Sequence, residues 1–176
     1  MVLGIGHAQA GLRREGPRLA VRSENPDIMV LLLEGSERSP TLKRLMDDIG
    51  QTNGIVYIQT GRCPVPGLRG CLLHVIHSTD DFRYLWIRIT PAEPLELAAS
   101  MAHELQHALE VLQEPWIRSR LDLLQFYRSP KAHAFGSFPS PGPFQSFETG
   151  RAIHIGAAVR SELEAFAETL TAIGPR

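Results

Sequence analysis

The apolar positions change period along the chain, and those changes divide it into elements. From Asp27 to Glu34 a run rich in Leu and Met favours a short helix over a strand, with Asp27 as a possible N-cap and Gly35-Ser36 as its end. Ser39-Pro40 then opens a second helix, with Ser39 as N-cap, in which Leu42, Leu45, Met46 and Ile49 share one face and Gly50 is the stop. The next stretch reads as strands. Gly54 to Thr60, Cys71 to His77 and Phe82 to Thr90 are β-branched or aromatic runs bounded by turn residues. Thr79-Asp80-Asp81 is short enough to make the last two an antiparallel hairpin, whereas Pro64-Val65-Pro66-Gly67 makes the first connection longer.

After Pro91 and Pro94 the period is helical again, through Leu95, Ala98, Ala99, Met101, Ala102, Leu105, Ala108, Leu109 and Leu112, until Pro115 stops it. This helix is apolar on most sides, so it belongs in the centre of a domain, and its few polar residues call for an explanation. Residues 128–146 show no period and read as a long irregular loop of the kind that borders a site. A final helix runs from Phe147 to Leu170, with Ile155, Val159, Leu163 and Phe166 on its core face. The expected fold is α+β: two short helices, then a small, mainly antiparallel three-stranded sheet packed on a central helix and a C-terminal helix. Residues 26–176 form one domain on this reading. Residues 1–25 are a flexible N-terminal arm or an edge segment.

Composition narrows the function classes. A chain of 176 residues, 43% of them hydrophobic, can bury a real core. Its 18 basic and 19 acidic residues nearly cancel and form no block, which argues against nucleic acid as a partner. No apolar run approaches the roughly 20 residues needed to span a bilayer. Val2 to Gly6 followed by Ala8-Gln9-Ala10 resembles the end of a signal peptide but lacks a basic start. Two readings stand: the remnant of an export signal, or the frayed terminus of a cytoplasmic protein. Export would suit Cys63 and Cys71, which are close enough to close a disulfide around the Pro/Gly-rich loop; a pair of reduced thiols is the alternative.

The central helix carries His103-Glu104-Leu105-Gln106-His107. Histidines four apart project from one helix face about 6 Å apart along the axis, so both rings can converge on one tetrahedral metal ion. Glu104 points about 100° around the helix, where it can hold a water at the metal instead of ligating the metal itself. Two histidines and a carboxylate in an Ala/Leu-rich helix would be costly without a shared partner. The expectation is one Zn2+ held by His103 and His107, with Glu104 as general base for a zinc-bound water.

The segment Ser100 to Leu109 resembles the active-site helix of zincin metallopeptidases. The metzincin branch is set aside, because Glu110 and Gln113 stand where it has glycine and histidine. The order helix, small sheet, H-E-x-x-H helix, loop, glutamate-bearing helix is similar to the minimal gluzincins, which implies a third ligand glutamate from the later helix. Glu148, read as lying in the first turn of the final helix, is the leading candidate; a carboxylate that merely complements the helix dipole is the alternative role. Glu162 lies near the same apolar face, four turns further on. Glu110, about 10 Å beyond His103 on the same helix, suits a hydrogen bond to His107 better than ligation, and Glu168 reads as a surface residue. Large gluzincins place an aspartate four residues after the ligand glutamate to orient a histidine. That position is Ala152 here, so another group must hold the imidazole.

Tyr127, His133 and His154 are candidates for stabilising an oxyanion, and none stands out. His74 and His77 read as sheet residues. An edge strand beside such a helix could hold an extended peptide by main-chain pairing. The resemblance implies zinc-assisted hydrolysis of a peptide bond in a peptide or protein substrate; the rival is a zincin-like binding or regulatory module whose zinc is structural.

Overall fold

A computed structural model of the chain describes residues 19–129, 138–139 and 147–173. Ala8-Gln9-Ala10, His133 and most of the loop expected over 128–146 lie outside them.

Among the described residues the molecule is α+β, with five helices and a four-stranded mixed sheet. The sheet comprises β1 (Val21–Ser23), β2 (Gly54–Thr60), β3 (Gly70–Ser78) and β4 (Arg83–Ile89) in the order β1-β2-β4-β3. The three expected strands and the β3/β4 hairpin are present. The expectation of three mainly antiparallel strands needs correction, because β4 inserts between β2 and β3. It pairs in parallel with β2, Gly54 opposite Arg83 through Thr60 opposite Ile89. The fourth strand, β1, adds to β2 in parallel, so Val21–Ser23 are an edge of the sheet and not part of a free arm. Three residues among charged neighbours carry no periodic signal; their pairing depends on the distant Val56, Tyr57 and Ile58.

Helix α1 (Pro26–Arg38) starts one residue earlier than expected, with Asn25 accepting from the Asp27 amide, and continues past the expected stop at Gly35-Ser36. Gly35 is buried in mid-helix, and the chain leaves the helix only where Ser39-Pro40 begins α2 (Pro40–Gly50). There the Ser39 hydroxyl accepts from the Leu42 amide, as the sequence suggests.

Helix α3 (Pro94–Leu112) is the centre of the domain. Its Met101, Ala102, Leu105 and Leu109 are buried with Val56, Ile58, Leu85, Ile87 and Ile89 from the sheet. The alternation along β4 shows that one face of the sheet is covered. Leu85, Ile87 and Ile89 are buried, whereas Trp86, on the other face, is half-buried and stacks on Tyr57. A helix missed by the sequence reading, α4 (Arg120–Tyr127), opens with a Ser119/Asp122 capping box. With eight residues and no clear apolar stripe, it lacks the periodicity on which detection relies.

The last helix, α5, spans Gly150–Ile173 and packs along α3. Its start corrects the expectation of a helix from Phe147. Thr149 caps it, accepting from the Ala152 amide, and Phe147–Glu148 form a short strand, β6, paired with β5 (Phe138–Pro139).

Glu162 on α5 receives hydrogen bonds from Ser39 Oγ, Thr41 N and Thr41 Oγ1, which joins the C-terminal helix to the start of α2. Burial would raise its pKa, but these donors override that and hold it below the ordinary carboxylate value. A carboxyl with a lowered folded-state pKa stabilises the protein above its unfolded pKa, and that contribution is lost as pH falls through the folded value. Glu162→Gln is therefore expected to lower stability by about 1–2 kcal/mol at neutral pH, the usual range for a charge-assisted hydrogen bond discounted for partial exposure. Urea unfolding of both proteins between pH 7 and pH 3 should show the difference shrinking on acidification. A constant difference would contradict this account.

Candidate metal centre

His103 and His107 lie one turn apart in the middle of α3, with their rings 5.0 Å apart and nearly perpendicular. Glu148 approaches from β6. Its Oε1 lies 3.1 Å from His103 Nε2 and 3.3 Å from His107 Nε2. One nitrogen or oxygen atom from each of His103, His107 and Glu148 lies within 4.8 Å of those of the other two, so the three could hold a metal ion. A tetrahedral ion with bonds of about 2.0–2.1 Å sets its ligand atoms about 3.3–3.4 Å apart, so the spacing around Glu148 fits. Glu162 is excluded from this cluster by its bonds to α2, and Glu148 takes its place from a strand, one residue ahead of the helix cap.

The approach of α5 to His103 depends on Gly156. A Cβ there would sit 3.2 Å from the Ala99 carbonyl oxygen and 3.2 Å from His103 Cβ, tighter than ordinary packing. The α3 backbone and the first turns of α5 can thus lie close enough for β6 to present Glu148 to both rings.

Glu110, one turn beyond His107, is completely buried at its side chain. Its Oε2 faces His107 Nδ1 at 3.4 Å, and neither atom has another hydrogen-bond partner among the described residues. Its Oε1 accepts from Thr149 Oγ1 at 3.0 Å and from Gln106 Nε2 at 3.3 Å. One carboxylate therefore braces His107 and the residue that follows Glu148. With a proton on His107 Nδ1 directed at Glu110, Nε2, which faces Glu148, is the nitrogen that would give up its proton to an ion. Glu110 is thus the described carboxylate that contacts His107 from the side away from Glu148. Burial by itself would lower the His107 pKa, but Glu110 and Glu148 outweigh it and raise it, while the two imidazoles hold Glu148 low.

Glu104 is buried, 7% exposed, and its carboxylate reaches β3. Its Oε2 accepts from the Leu72 amide at 2.7 Å. Gly70 makes room for it, since a Cβ there would be 2.8 Å from Glu104 Cγ. Burial raises the Glu104 pKa against the pull of His107, His103 and the Leu72 amide. A carboxyl in this setting can take up and return a proton. The Leu72 and Gly70 contacts leave no mark in the sequence, because the donor is a backbone group and the glycine is one among 15.

Of the three proposed oxyanion residues, the structure brings Tyr127 to the centre. Its ring stacks on Phe147 at 5.0 Å and meets His107 edge-on at 6.1 Å. Burial, then the charges of Glu110, Glu104 and Glu148, push its pKa well above the ordinary value, so it remains a neutral phenol. His154 is exposed on α5. His74 and His77 both lie on β3, as expected; His77 packs against Trp86, and His74, in the stretch where the register shifts, contacts Phe147.

Glu110→Gln is expected to weaken zinc binding about 10–100-fold, as loss of a ligand's supporting carboxylate does. The amide is isosteric but can present N–H to Nδ1, which favours the tautomer with the proton on Nε2. Competition against a zinc chelator dye measures this, and an unchanged affinity would remove Glu110 from the site.

No helix among the described residues is long and apolar enough to cross a membrane. No protein-family model matches the chain, and neither a curated protein nor a solved structure does.

Proposed function

We propose that the chain is a zinc-dependent hydrolase acting on peptide bonds, with His103, His107 and Glu148 as metal ligands and Glu104 as general base. The observation that carries this reading is the convergence of His103 Nε2, His107 Nε2 and a Glu148 oxygen on one point, beside a buried carboxylate that is not part of the ligand set. The donor set supports zinc: two imidazoles and one carboxylate leave a tetrahedral ion one open position, the arrangement of catalytic rather than structural sites. Charge supports it too. Glu104, Glu110 and Glu148 all bear on His107, and a dication offsets carboxylates that would be costly to cluster alone.

Zinc, when bound, supplies a Lewis acid that polarises a carbonyl and acidifies water. The protein's own groups do the rest. Glu104 accepts the proton of the attacking water and can return it to the departing amine. Glu110 keeps His107 in the tautomer that presents Nε2. Tyr127, a neutral phenol whose ring meets His107, is our candidate for donating toward charge developing on a carbonyl oxygen. Strand β3 lies at the edge of the sheet next to α3, where an extended substrate could add by main-chain pairing.

A binding or regulatory module is the second reading. It is favoured by one feature: Glu104 already spends one oxygen on the Leu72 amide. Metal analysis tests the shared premise. Purified protein should hold one zinc per chain at neutral pH, and Glu148→Ala should weaken binding by about 100-fold or more through loss of a direct ligand. Failure to bind zinc would sink both readings; zinc retained without cleavage of any member of a peptide library would leave the binding module.

A further inference from the structure

Cys71 lies between the two residues that seat Glu104. Gly70, on one side, leaves the space for the Glu104 side chain; Leu72, on the other, donates its edge-facing amide to Oε2 at 2.7 Å. Cys71 is joined by a disulfide to Cys63, in the loop after β2. Both cysteines are only partly buried and the loop between them is largely exposed, so a reductant can reach the bond.

Besides the disulfide, the seat is held by the packing of Leu72 on the core and by a short ladder. Gly70, Cys71 and Leu72 pair with Ile89, Arg88 and Ile87, but the register shifts between Leu72 and Ile76, so the paired stretch is three residues long. Beyond Gly70 the chain enters the disulfide loop, whose near end is held by the Thr90 amide on the Arg69 carbonyl and an ion pair of Arg69 with Glu96. The metal ligands stand on other supports: His103 and His107 on α3, and Glu148 on β6, tied through Thr149 to Glu110.

We propose that the Cys63–Cys71 disulfide is a redox-sensitive clamp that keeps the Leu72 amide on Glu104, so that its reduction unseats the general base without emptying the metal site. The clamp rests on the hydrolase reading for its consequence, not for its structure. A cellular dithiol would work it by thiol–disulfide exchange. One thiolate attacks a cysteine sulfur, the second displaces the mixed disulfide, two protein thiols form, and the reductant leaves as its own disulfide. Displacing a reacting group by about 1 Å costs on the order of 100-fold in rate, so a modest loosening of β3 is enough to matter.

The test uses the zinc-loaded full chain, oxidised or treated with a water-soluble phosphine, which reduces disulfides without the metal-binding thiols of dithiothreitol. Amide exchange at Leu72, resolved by NMR, should become about ten-fold faster or more on reduction. Zinc content and exchange through residues 94–112 should stay as they were, and kcat/KM on a cleaved peptide should fall about 10–100-fold. Cys63→Ser should behave as the reduced wild type and ignore the phosphine. Unchanged exchange at Leu72, exchange rising equally along α3, loss of zinc, or an unchanged kcat/KM would each overturn the clamp. If the oxidised, zinc-loaded protein cleaves nothing, it is the hydrolase reading that fails. Leu72 exchange and zinc retention then decide the clamp alone.

Discussion

Glu104→Gln is expected to keep its zinc and lose about 10²–10⁴-fold in peptide hydrolysis, the range supplied by a positioned general acid–base group. The substitution changes the chemistry with little change of shape. The amide oxygen of Gln can still accept from the Leu72 amide, so the seat against β3 survives, and Gly70 leaves room for a side chain of the same size. What is lost is the capacity to take a proton. Because Glu104 points to the sheet while Glu148 makes the approaches to the two Nε2 atoms, zinc stoichiometry and affinity should stay near the wild-type values. Steady-state cleavage measured beside zinc titration separates the two effects. A variant that cleaves as well as wild type would remove Glu104 from the reaction. One that loses zinc would make it a ligand or a support.

Arg83→Met is expected to remove about 3–5 kcal/mol of stability, a large share of the about 5–15 kcal/mol that ordinarily holds a domain folded. Arg83 opens β4 and is 2% exposed. Its Nη1 donates to the carbonyls of Val111, Glu114 and Ile117, its Nη2 to Leu112, and its Nε to Asn53 Oδ1. One guanidinium thus gathers four carbonyls at the end of α3 and in the turn after it, where the helix carries partial negative charge; those of Val111 and Glu114 also accept backbone amides, while for Leu112 and Ile117 the guanidinium is the donor. Methionine fills part of the volume but takes the donor from the Leu112 and Ile117 carbonyls, each at about 1–3 kcal/mol, and leaves Val111 and Glu114 with their backbone amides alone. Lysine keeps the charge but lacks the planar fork, so it should recover only part of the loss. Urea denaturation of Arg83→Met and Arg83→Lys checks the order. A loss below about 1 kcal/mol for the methionine variant would mean that these carbonyls find other donors.

The elements that fold on local cues were legible residue by residue. Ser39-Pro40 starts α2 because a hydroxyl cap and a proline at the first helical position need no distant partner. Strand β2 has the bounds its β-branched run suggested, and the spacing of His103, Glu104 and His107 follows from helix geometry alone. The choice of Glu148 over Glu162 was also open to sequence reasoning, although its setting was not: it stands on a strand before Thr149, not in the first turn of a helix.

What tertiary structure decided is of a different physical kind. Whether β4 pairs with β2 or only with β3, whether Val21–Ser23 join the sheet, and which carbonyls a strand arginine satisfies depend on segments up to dozens of residues apart. No local period encodes them. The same holds for the candidate site. The sequence by itself determined a helix with two ring nitrogens on one face and a carboxylate beside them. Only the packing of α5 through Gly156, the support of Glu110 by Thr149, and the edge of β3 against Glu104 turned that helix into a cluster with three converging donors and a seated carboxylate.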